Sequence, residues 1–525
     1  MPAKRVLKVL ALLVVFTCAA AAEAAERPRI GLVLSGGGAR GAAHVGVLKV
    51  LEEMRVPIDA IAGTSMGAVV GGLYASGLSA AQIEELMSSV NWQDAFRDRP
   101  PRAELNYRRK QDDRNFLVRY ALGVRRDGFV LPRGLVQGQK LEQLLRSATL
   151  PVMDVEDFDD LPIPFRAIAT DLETGEPVVM SRGDLVVAMR ASMSAPPVFA
   201  PTPYDGRLLI DGGLVENLPV ETAQQMGVDI LIAVDVSFPL YARDQLVSPI
   251  EVTNQAFAIM IRGRTLEQRR KLGPADVLIE PPLGRLTAVD FARVPQALEA
   301  GEEGAYAVSA QLATLSLDQT AYDAYLARRE ARAVERSPLI EFVRVDAASS
   351  EYERLVTAKM RDLIDMPLDE EVIGRKLSEL YALDLFESID YRLVTEEGRS
   401  GLELHLRRKS WGPNYIRVGL NLEDDFEGNS RYNAALRFIS TEINDLGGEW
   451  LTDLQIGDNP RLFSEFYQPL SLSHRYFVAP KLEFEEHSVF LREEEDRIAE
   501  YRVREYEAGL DIGREISDWG EVRLG

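Results

Sequence analysis

Up to about residue 310, the apolar positions fall in short unbroken runs separated by stretches with helical spacing. Ile30–Leu34 and residues 58–62, 165–169, 178–180, 208–210 and 230–236 are runs of the first kind, with Val277–Ile279 a weaker one. Runs without polar alternation suit strands buried on both faces. Residues 79–90, 135–148, 185–192 and 220–226 read as helices, the first with Ile83, Leu86 and Met87 on one face. Alternation of the two predicts an α/β sheet covered by helices on both sides. From 304 to 335 the chain is helical and increasingly charged, with Arg328-Arg329-Glu330-Ala331-Arg332 near its end. This reads as a closing helix and a linker.

A different pattern starts after Ser337-Pro338 and reads β-α-α-β-β. Residues 342–345 alternate as a strand, and 354–364 form a helix. A second helix has Asp369 as its N-cap, acids in its first turn, and Ile373, Leu377, Leu380 and Tyr381 on its buried face. Strands 386–394 and 401–406 form a hairpin across Glu396-Glu397-Gly398. From 412 to 525 the period becomes two. Ile416, Val418, Leu420 and Leu422 share one face, and Tyr415, Arg417, Gly419 and Asn421 the other. Tyr432, Ala434, Leu436 and Phe438 repeat this, as do Tyr506, Ala508, Leu510 and Ile512. Apolar-out, polar-in alternation with aromatics near strand ends is the signature of a transmembrane β-barrel. About six strands are expected here, fewer than a closed barrel needs, so the barrel is read as incomplete at its C-terminal side.

Composition adds three constraints. The formal net charge of −22 over 525 residues argues against a nucleic-acid partner. Residues 1–25 read as a secretory signal, with Lys4, Arg5 and Lys8 ahead of an apolar core and a small-residue cleavage site at Ala22-Glu23-Ala24. The single cysteine, Cys18, lies inside that segment, so no disulfide framework is expected. Within this acidic chain, residues 97–126 are basic, with Arg102, Arg108, Arg109, Lys110, Arg114, Arg119, Arg125 and Arg126. They read as a solvated loop and hairpin paired with nearby acids, or as a surface for anionic lipid headgroups.

The candidate chemistry sits at strand ends. Gly63-Thr64-Ser65-Met66-Gly67 joins an apolar run to a helix, the G-x-S-x-G pattern of a nucleophile elbow. Ser35-Gly36-Gly37-Gly38-Ala39-Arg40-Gly41 joins Ile30–Leu34 to the next helix, and its amides form an anion nest suited to an oxyanion. Gly36, Gly38 and Gly41 also satisfy a dinucleotide-binding spacing, but the second strand ends in Gly63-Thr64-Ser65 rather than in the acid that fold uses. A third strand ends in Asp211-Gly212-Gly213. The chain has four histidines, His44, His405, His474 and His487, and only His44 lies in this half. A Ser65–Asp211 dyad with the carboxylate as base is therefore available where a triad is hard to build. Asp171 and Asp235, also at strand ends, read as turn and cap residues. The apolar stretch from Met193 to Phe199 is a candidate acyl groove.

These elements, in this order, resemble the patatin-like phospholipase family across about residues 27–310. Met189-Arg190-Ala191-Ser192-Met193-Ser194-Ala195-Pro196-Pro197-Val198-Phe199 is similar to the family's segment before the aspartate. The resemblance implies a three-layer α/β/α fold and acyl-ester hydrolysis by a Ser–Asp dyad without metal or cofactor. It makes Ser65 the nucleophile and Asp211 the base. The loop amides, at Gly36, Gly37, Gly38 and Arg40, become the oxyanion hole, with Gly41, Gly63, Gly67, Gly212 and Gly213 supporting the turns. Leu380-Tyr381-Ala382-Leu383-Asp384-Leu385-Phe386-Glu387-Ser388-Ile389 resembles the second-helix-to-strand signature of a POTRA domain. The last stretch is similar to the start of an outer-membrane surface-antigen barrel.

The expected organisation is a signal peptide (1–25), a patatin-like α/β hydrolase domain (26–310), a helical linker (311–336), an α+β POTRA-like domain (337–410), and the first part of an antiparallel transmembrane β-barrel (411–525). The expected activity is hydrolysis of phospholipid or another lipid ester at the outer membrane, with barrel-assembly machinery as a partner. The alternative is an outer-membrane assembly or transport component with an inert α/β passenger.

Overall fold

The computed structural model describes residues 27–98, 100, 102–103, 105–116, 121–332, 338–424, 430–493, 496–516 and 519–525. The expected signal segment, with Cys18, lies outside the described residues. The first layer set is built on strands β1 (Ile30–Leu34) and β2 (Ala60–Thr64). A hairpin, β3 (Leu122–Arg125) and β4 (Gly128–Val130), leaves this sheet, which resumes with β5 (Phe165–Asp171), β6 (Pro177–Met180), β7 (Thr202–Tyr204), β8 (Arg207–Asp211), β9 (Ile230–Val234) and β10 (Val277–Ile279). Their order is β10-β9-β1-β2-β5-β8-β7, with β6 on β5. The strands from β10 to β5 are parallel, and β6, β7 and β8 are antiparallel additions. Pleating divides each strand between two cores. Leu32 and Leu34 face the larger, with the helices Ala43–Glu53, Met66–Ala75 and Leu185–Ser192, whereas Val33, Ala62 and Ile168 face Leu218, Val220 and Ala223. Unbroken apolar runs are the consequence of this double burial.

Two boundaries differ from expectation. The helix expected from 135 begins at Gln139, because Gly138 adopts a left-handed conformation and the Asp98 carboxylate accepts the amides of Gly138 (2.6 Å) and Gln139 (3.2 Å). The stretch read as a linker is not free. Its helix Gln319–Glu330 packs back on the first unit, where Arg329 donates to the carbonyls of Tyr74 and Leu78, at the end of the helix Met66–Ala75, and Tyr325 donates to that of Ile58, just before β2.

The second unit has the expected β-α-α-β-β elements in order, with two additional two-residue strands, one at its start and one between the helices. It contains β11 (Leu339–Ile340), β12 (Phe342–Val345), the helix Glu353–Met360, β13 (Met366–Pro367), the helix Glu370–Tyr381, β14 (Phe386–Glu396) and β15 (Arg399–Arg408). β12 runs parallel to β15, and β14 and β15 form the hairpin. Asp369 caps the second helix through the amides of Glu371 and Val372. Gln139 of the first unit bonds both the amide and the carbonyl of Ile389 at 2.6 and 2.8 Å, so the two units share a buried contact.

Among the described residues the last region contains seven strands, the roughly six expected and the short run at the end: β16 (Asn414–Asp424), β17 (Ser430–Ser440), β18 (Glu449–Gly457), β19 (Arg461–Pro469), β20 (Tyr476–Glu493), β21 (Asp496–Ile516) and β22 (Gly520–Leu524). Each pairs antiparallel with the next, and the outer side of β16 takes up the β3–β4 hairpin. The burial is inverted relative to a water-soluble sheet. Leu420, Leu422, Ile456, Leu482, Leu510 and Ile512 are exposed, and Arg417, Arg437, Glu449, Glu465 and Asp511 are buried. Among the described residues no helix is long and apolar enough to cross a membrane.

The basic segment is solvated in part: Arg102, Arg125 and Arg126 are exposed, the last two on the expected hairpin, but Arg108 and Arg109 are buried. Its helix Tyr107–Asn115 lies on the polar face of this sheet. Arg108 pairs with Glu449 (2.8 Å) and Glu465 (2.7 Å), Arg109 with Glu449, and Arg437 with Asp112 (2.6 Å). Pairing with nearby acids holds for Arg109 and Asp112 (2.8 Å), but Glu449 and Glu465 come from a stretch more than three hundred positions away, and the pairs are buried. Arg119 lies outside the described residues, as does the side chain of Arg114.

Candidate active site

Sheet register brings the two candidate groups level. Thr64 on β2 pairs with Ile168 on β5, and the next β5 residue, Ala169, pairs with Asp211 on β8. Ser65 and Asp211 therefore flank the same strand at the same height. Between β2 and the helix Met66–Ala75, Ser65 adopts φ 55 and ψ −124, a conformation costly for a residue with a Cβ. The turn closes tightly. A Cβ on Gly67 would lie 2.3 Å from the carbonyl oxygen of Leu34, and one on Gly63 would lie 2.4 Å from that of Gly67. In this pose the Ser65 hydroxyl donates to Asp211 Oδ2 at 2.6 Å.

Asp211 is held in turn. The amide of Gly213 donates to its Oδ1 at 2.7 Å, and Thr170 donates to its backbone carbonyl at 2.8 Å. Gly212 is packed against the Ile168 carbonyl with no room for a Cβ. Burial pushes the carboxyl up to about 6, against the opposing effects of the Ser65 hydroxyl and the Gly213 amide. The group is thus ionised at neutral pH and more basic than an ordinary aspartate.

The glycine loop lies against the elbow, but its residues divide into two roles. The amide of Gly36 is taken by the Asn217 carbonyl at 3.0 Å, and that of Arg40 by the Gly37 carbonyl at 3.3 Å. The amides of Gly36 and Arg40, both expected as oxyanion donors, are thus engaged within the protein in this conformation. Gly36 instead permits close approach, since a Cβ there would stand 3.1 Å from that of Ser65. The Arg40 guanidinium, buried, ties the loop to the carbonyls of Val236, Ser237 and Leu286. The amides of Gly37 and Gly38 have no acceptor among the described residues. Gly38 has φ +55, and its Cβ position lies 2.3 Å from the Ala288 carbonyl oxygen. Gly41 is pressed against Met66, with a Cβ position 2.4 Å from Cγ.

His44 is fully buried, and burial pushes it down to about 4, so it is neutral at physiological pH. Its Nε2 bonds the Ser35 carbonyl at 2.8 Å, away from the dyad. His405 pairs with Asp346 in the second unit. Asp171 and Asp235 accept the amides of Glu173 and Ser237, as expected of turn residues.

Two contacts were not anticipated from the sequence. Asn217 binds the Gly36 amide through its carbonyl and bonds Ser237 through its side chain. Ser192, in the segment before Asp211, accepts the Ser65 amide at 2.8 Å. Beside the elbow is an apolar pocket lined by Met66, Val69, Leu73, Trp92, Leu145 and Met193, among others. Its free interior is only about 10 Å³. Of the expected acyl groove, Met193 contributes to this lining, whereas Val198 is exposed and Phe199 packs on Phe96.

The site thus joins a strained serine on a strand–helix turn to an aspartate beside a glycine nest. Residues 32–223 match the family model described as patatin-like phospholipase, and the chain carries a patatin-like phospholipase domain over this stretch. It is similar to an uncharacterized NTE family protein of Mycobacterium tuberculosis, 36% identical over 210 residues, which are 40% of this chain and 49% of the relative. The match to patatin-like phospholipase domain-containing protein 6 of Homo sapiens is 32% over 210 residues, 39% of this chain and 13% of that protein. The chain thus spans about half the length of the mycobacterial relatives. Among solved structures, VipD from Legionella pneumophila matches with a TM-score of 0.30 at 16% identity, over 67% of this chain and 79% of that one. BamA from Haemophilus ducreyi matches with 0.28 at 13%, over 34% and 33%.

Proposed function

We propose that this chain is a lipid acyl hydrolase working through a Ser65–Asp211 dyad. The observation that carries the reading is the 2.6 Å bond from the Ser65 hydroxyl to a carboxylate whose basicity is raised by burial. As Ser65 attacks the ester carbonyl, its proton passes to Asp211. The tetrahedral oxyanion is held by the amides of Gly37 and Gly38, the two left without internal acceptors. Asp211 returns the proton to the departing alkoxide as the acyl-enzyme forms. It then takes a proton from the water that attacks the acyl-enzyme and gives it to Ser65 as the acid leaves. The apolar pocket beside Met66 suits an acyl chain, but at its present volume the chain enters only if the walls part. No step requires a metal or nucleotide.

The same reading extends to location. The exposed apolar and buried polar faces of the C-terminal sheet support an outer-membrane anchor, with the second unit as a POTRA-like module before it. The phospholipid substrate, export through a signal segment and partnership with barrel-assembly machinery belong to this proposal. Labelling with a serine-reactive fluorophosphonate tests its core. The labelled protein should be modified at Ser65 and the Ser65→Ala variant unmodified; absence of labelling in the unaltered protein would favour an inert passenger on a membrane component.

A further inference from the structure

We propose that Ser192 is a positioning residue of the dyad, the hydroxyl that fixes the nucleophile's backbone relative to the base; this rests on the hydrolase reading above. The helix Leu185–Ser192 ends beneath the elbow, and its last turn touches both partners. The Ser192 hydroxyl accepts the amide of Ser65 at 2.8 Å and donates to the Ile168 carbonyl at 2.5 Å. The Ser192 carbonyl accepts the amide of Gly212 at 3.3 Å, and the Ser194 carbonyl that of Asp211 at 3.0 Å. One short segment thus grips the nucleophile, the central strand between the partners, and the base.

The physical need is specific. Ser65 occupies a strained backbone conformation, which persists only where its surroundings over-determine it. Its amide precedes the first helical residue and has no place in the helix ladder. A group buried with Ser192, which has no exposed surface, must supply an acceptor for that amide while having its own proton taken up. A hydroxyl does both at once, accepting through oxygen and donating through hydrogen. The Ser194 hydroxyl is fixed separately, by Arg190 at 2.7 Å and Thr202 at 2.9 Å, so the grip on the base side does not depend on Ser192's side chain.

The test uses the full chain and p-nitrophenyl butyrate, with rates expressed per site titrated by fluorophosphonate. Ser192→Ala should lower kcat by about 10²-fold with KM within about twofold, as a misplacement near 1 Å does. Ser192→Cys, similar in size but a weak hydrogen-bonding partner, should behave in the same way and guards against loss of fold from a cavity. A positioning role also moves the pH profile: with Ser65 displaced, Asp211 loses a hydroxyl donor, and the acid limb of kcat/KM shifts upward. A structural role lowers the titratable fraction but leaves kcat per site and the acid limb in place, and that result overturns the proposal. An unaltered protein that neither labels nor turns over overturns the hydrolase reading itself.

Discussion

Ser65 donates its hydroxyl to Asp211 Oδ2 across 2.6 Å, although the two lie 146 residues apart, Ser65 just beyond β2 and Asp211 at the end of β8, strands that do not pair. β5 stands between them, and the contact exists because the elbow and the β8 end meet at the same level of that strand. Replacing Ser65 with alanine should lower esterase turnover by roughly a million-fold, as loss of a serine nucleophile does elsewhere. Asp211→Asn keeps the shape without accepting the proton and should also be severely impaired. Single-turnover kinetics on a chromogenic ester measure both, and an Asp211→Asn variant near full activity would remove the carboxylate from the mechanism.

Ionisation of Asp211 sets a pH dependence with a definite sign. The base works as the carboxylate, so kcat/KM should fall about tenfold per unit below pH 6, where burial has placed the group. Stability responds in the opposite sense. The carboxyl is ordinary in the unfolded chain and raised in the folded one, so between about pH 4 and 6 the folded state holds the extra proton. Stability is therefore lost as pH rises through that window. Asp211→Asn does not titrate, so its melting temperature should gain on that of the unaltered protein between pH 4 and pH 7. Parallel melting curves at all pH values would show that burial does not raise the group.

His44 provides the control for a concealed triad. Its imidazole is neutral and committed to the Ser35 carbonyl, and its Nδ1 finds no partner among the described residues. His44→Ala should keep chemistry within about tenfold while destabilising the fold through lost packing and an unpaired carbonyl, by roughly 1–3 kcal/mol. Urea unfolding and kcat measured side by side separate the two effects. A folded variant as inactive as Ser65→Ala would refute the dyad.

Much of this site was legible because its signals are local. Strand ends, G-x-S-x-G and Asp211-Gly212-Gly213 are each contained in a few residues, and glycine marks the places where backbone runs against backbone, as Gly67 does against Leu34. Register was not legible, since only the three-dimensional sheet shows that Ala169 pairs with Asp211. Nor could the sequence divide the glycine loop. Whether an amide is free depends on Asn217, far along the chain, which occupies that of Gly36. The same holds for the basic segment. Arg108 looks solvated beside its sequence neighbours, and its burial follows from Glu449 and Glu465 on strands much further along the chain. Period-two patterning carried the sense of the C-terminal sheet, apolar side outward, and the alternation of residues 521–525 marked the start of its seventh strand.

The arginine helix makes the last prediction. Arg108 and its acids are each about nine-tenths buried, and its guanidinium also lies 4.2 Å from the centroid of the Tyr467 ring. Removing Arg108 leaves Glu449 with Arg109 and Glu465 with Arg523, so the cost is only part of the about 3–5 kcal/mol that a wholly uncompensated buried charge carries. Arg108→Ala should therefore loosen the helix Tyr107–Asn115 from the sheet, raising amide exchange over residues 107–115 by about one order of magnitude or more. The alternative Arg108→Met removes the same charge but keeps much of the stem packing, and it should loosen the helix by a similar factor if the ion pairs dominate. Glu449→Gln in the Arg108→Met background should loosen the helix further, because Glu449 still pairs with Arg109 and its loss leaves that guanidinium with Asp112. Hydrolysis per titrated site should stay within about threefold in all three variants, since Arg108 touches neither Ser65 nor Asp211. Unchanged exchange in Arg108→Ala would show that the sheet does not hold this segment.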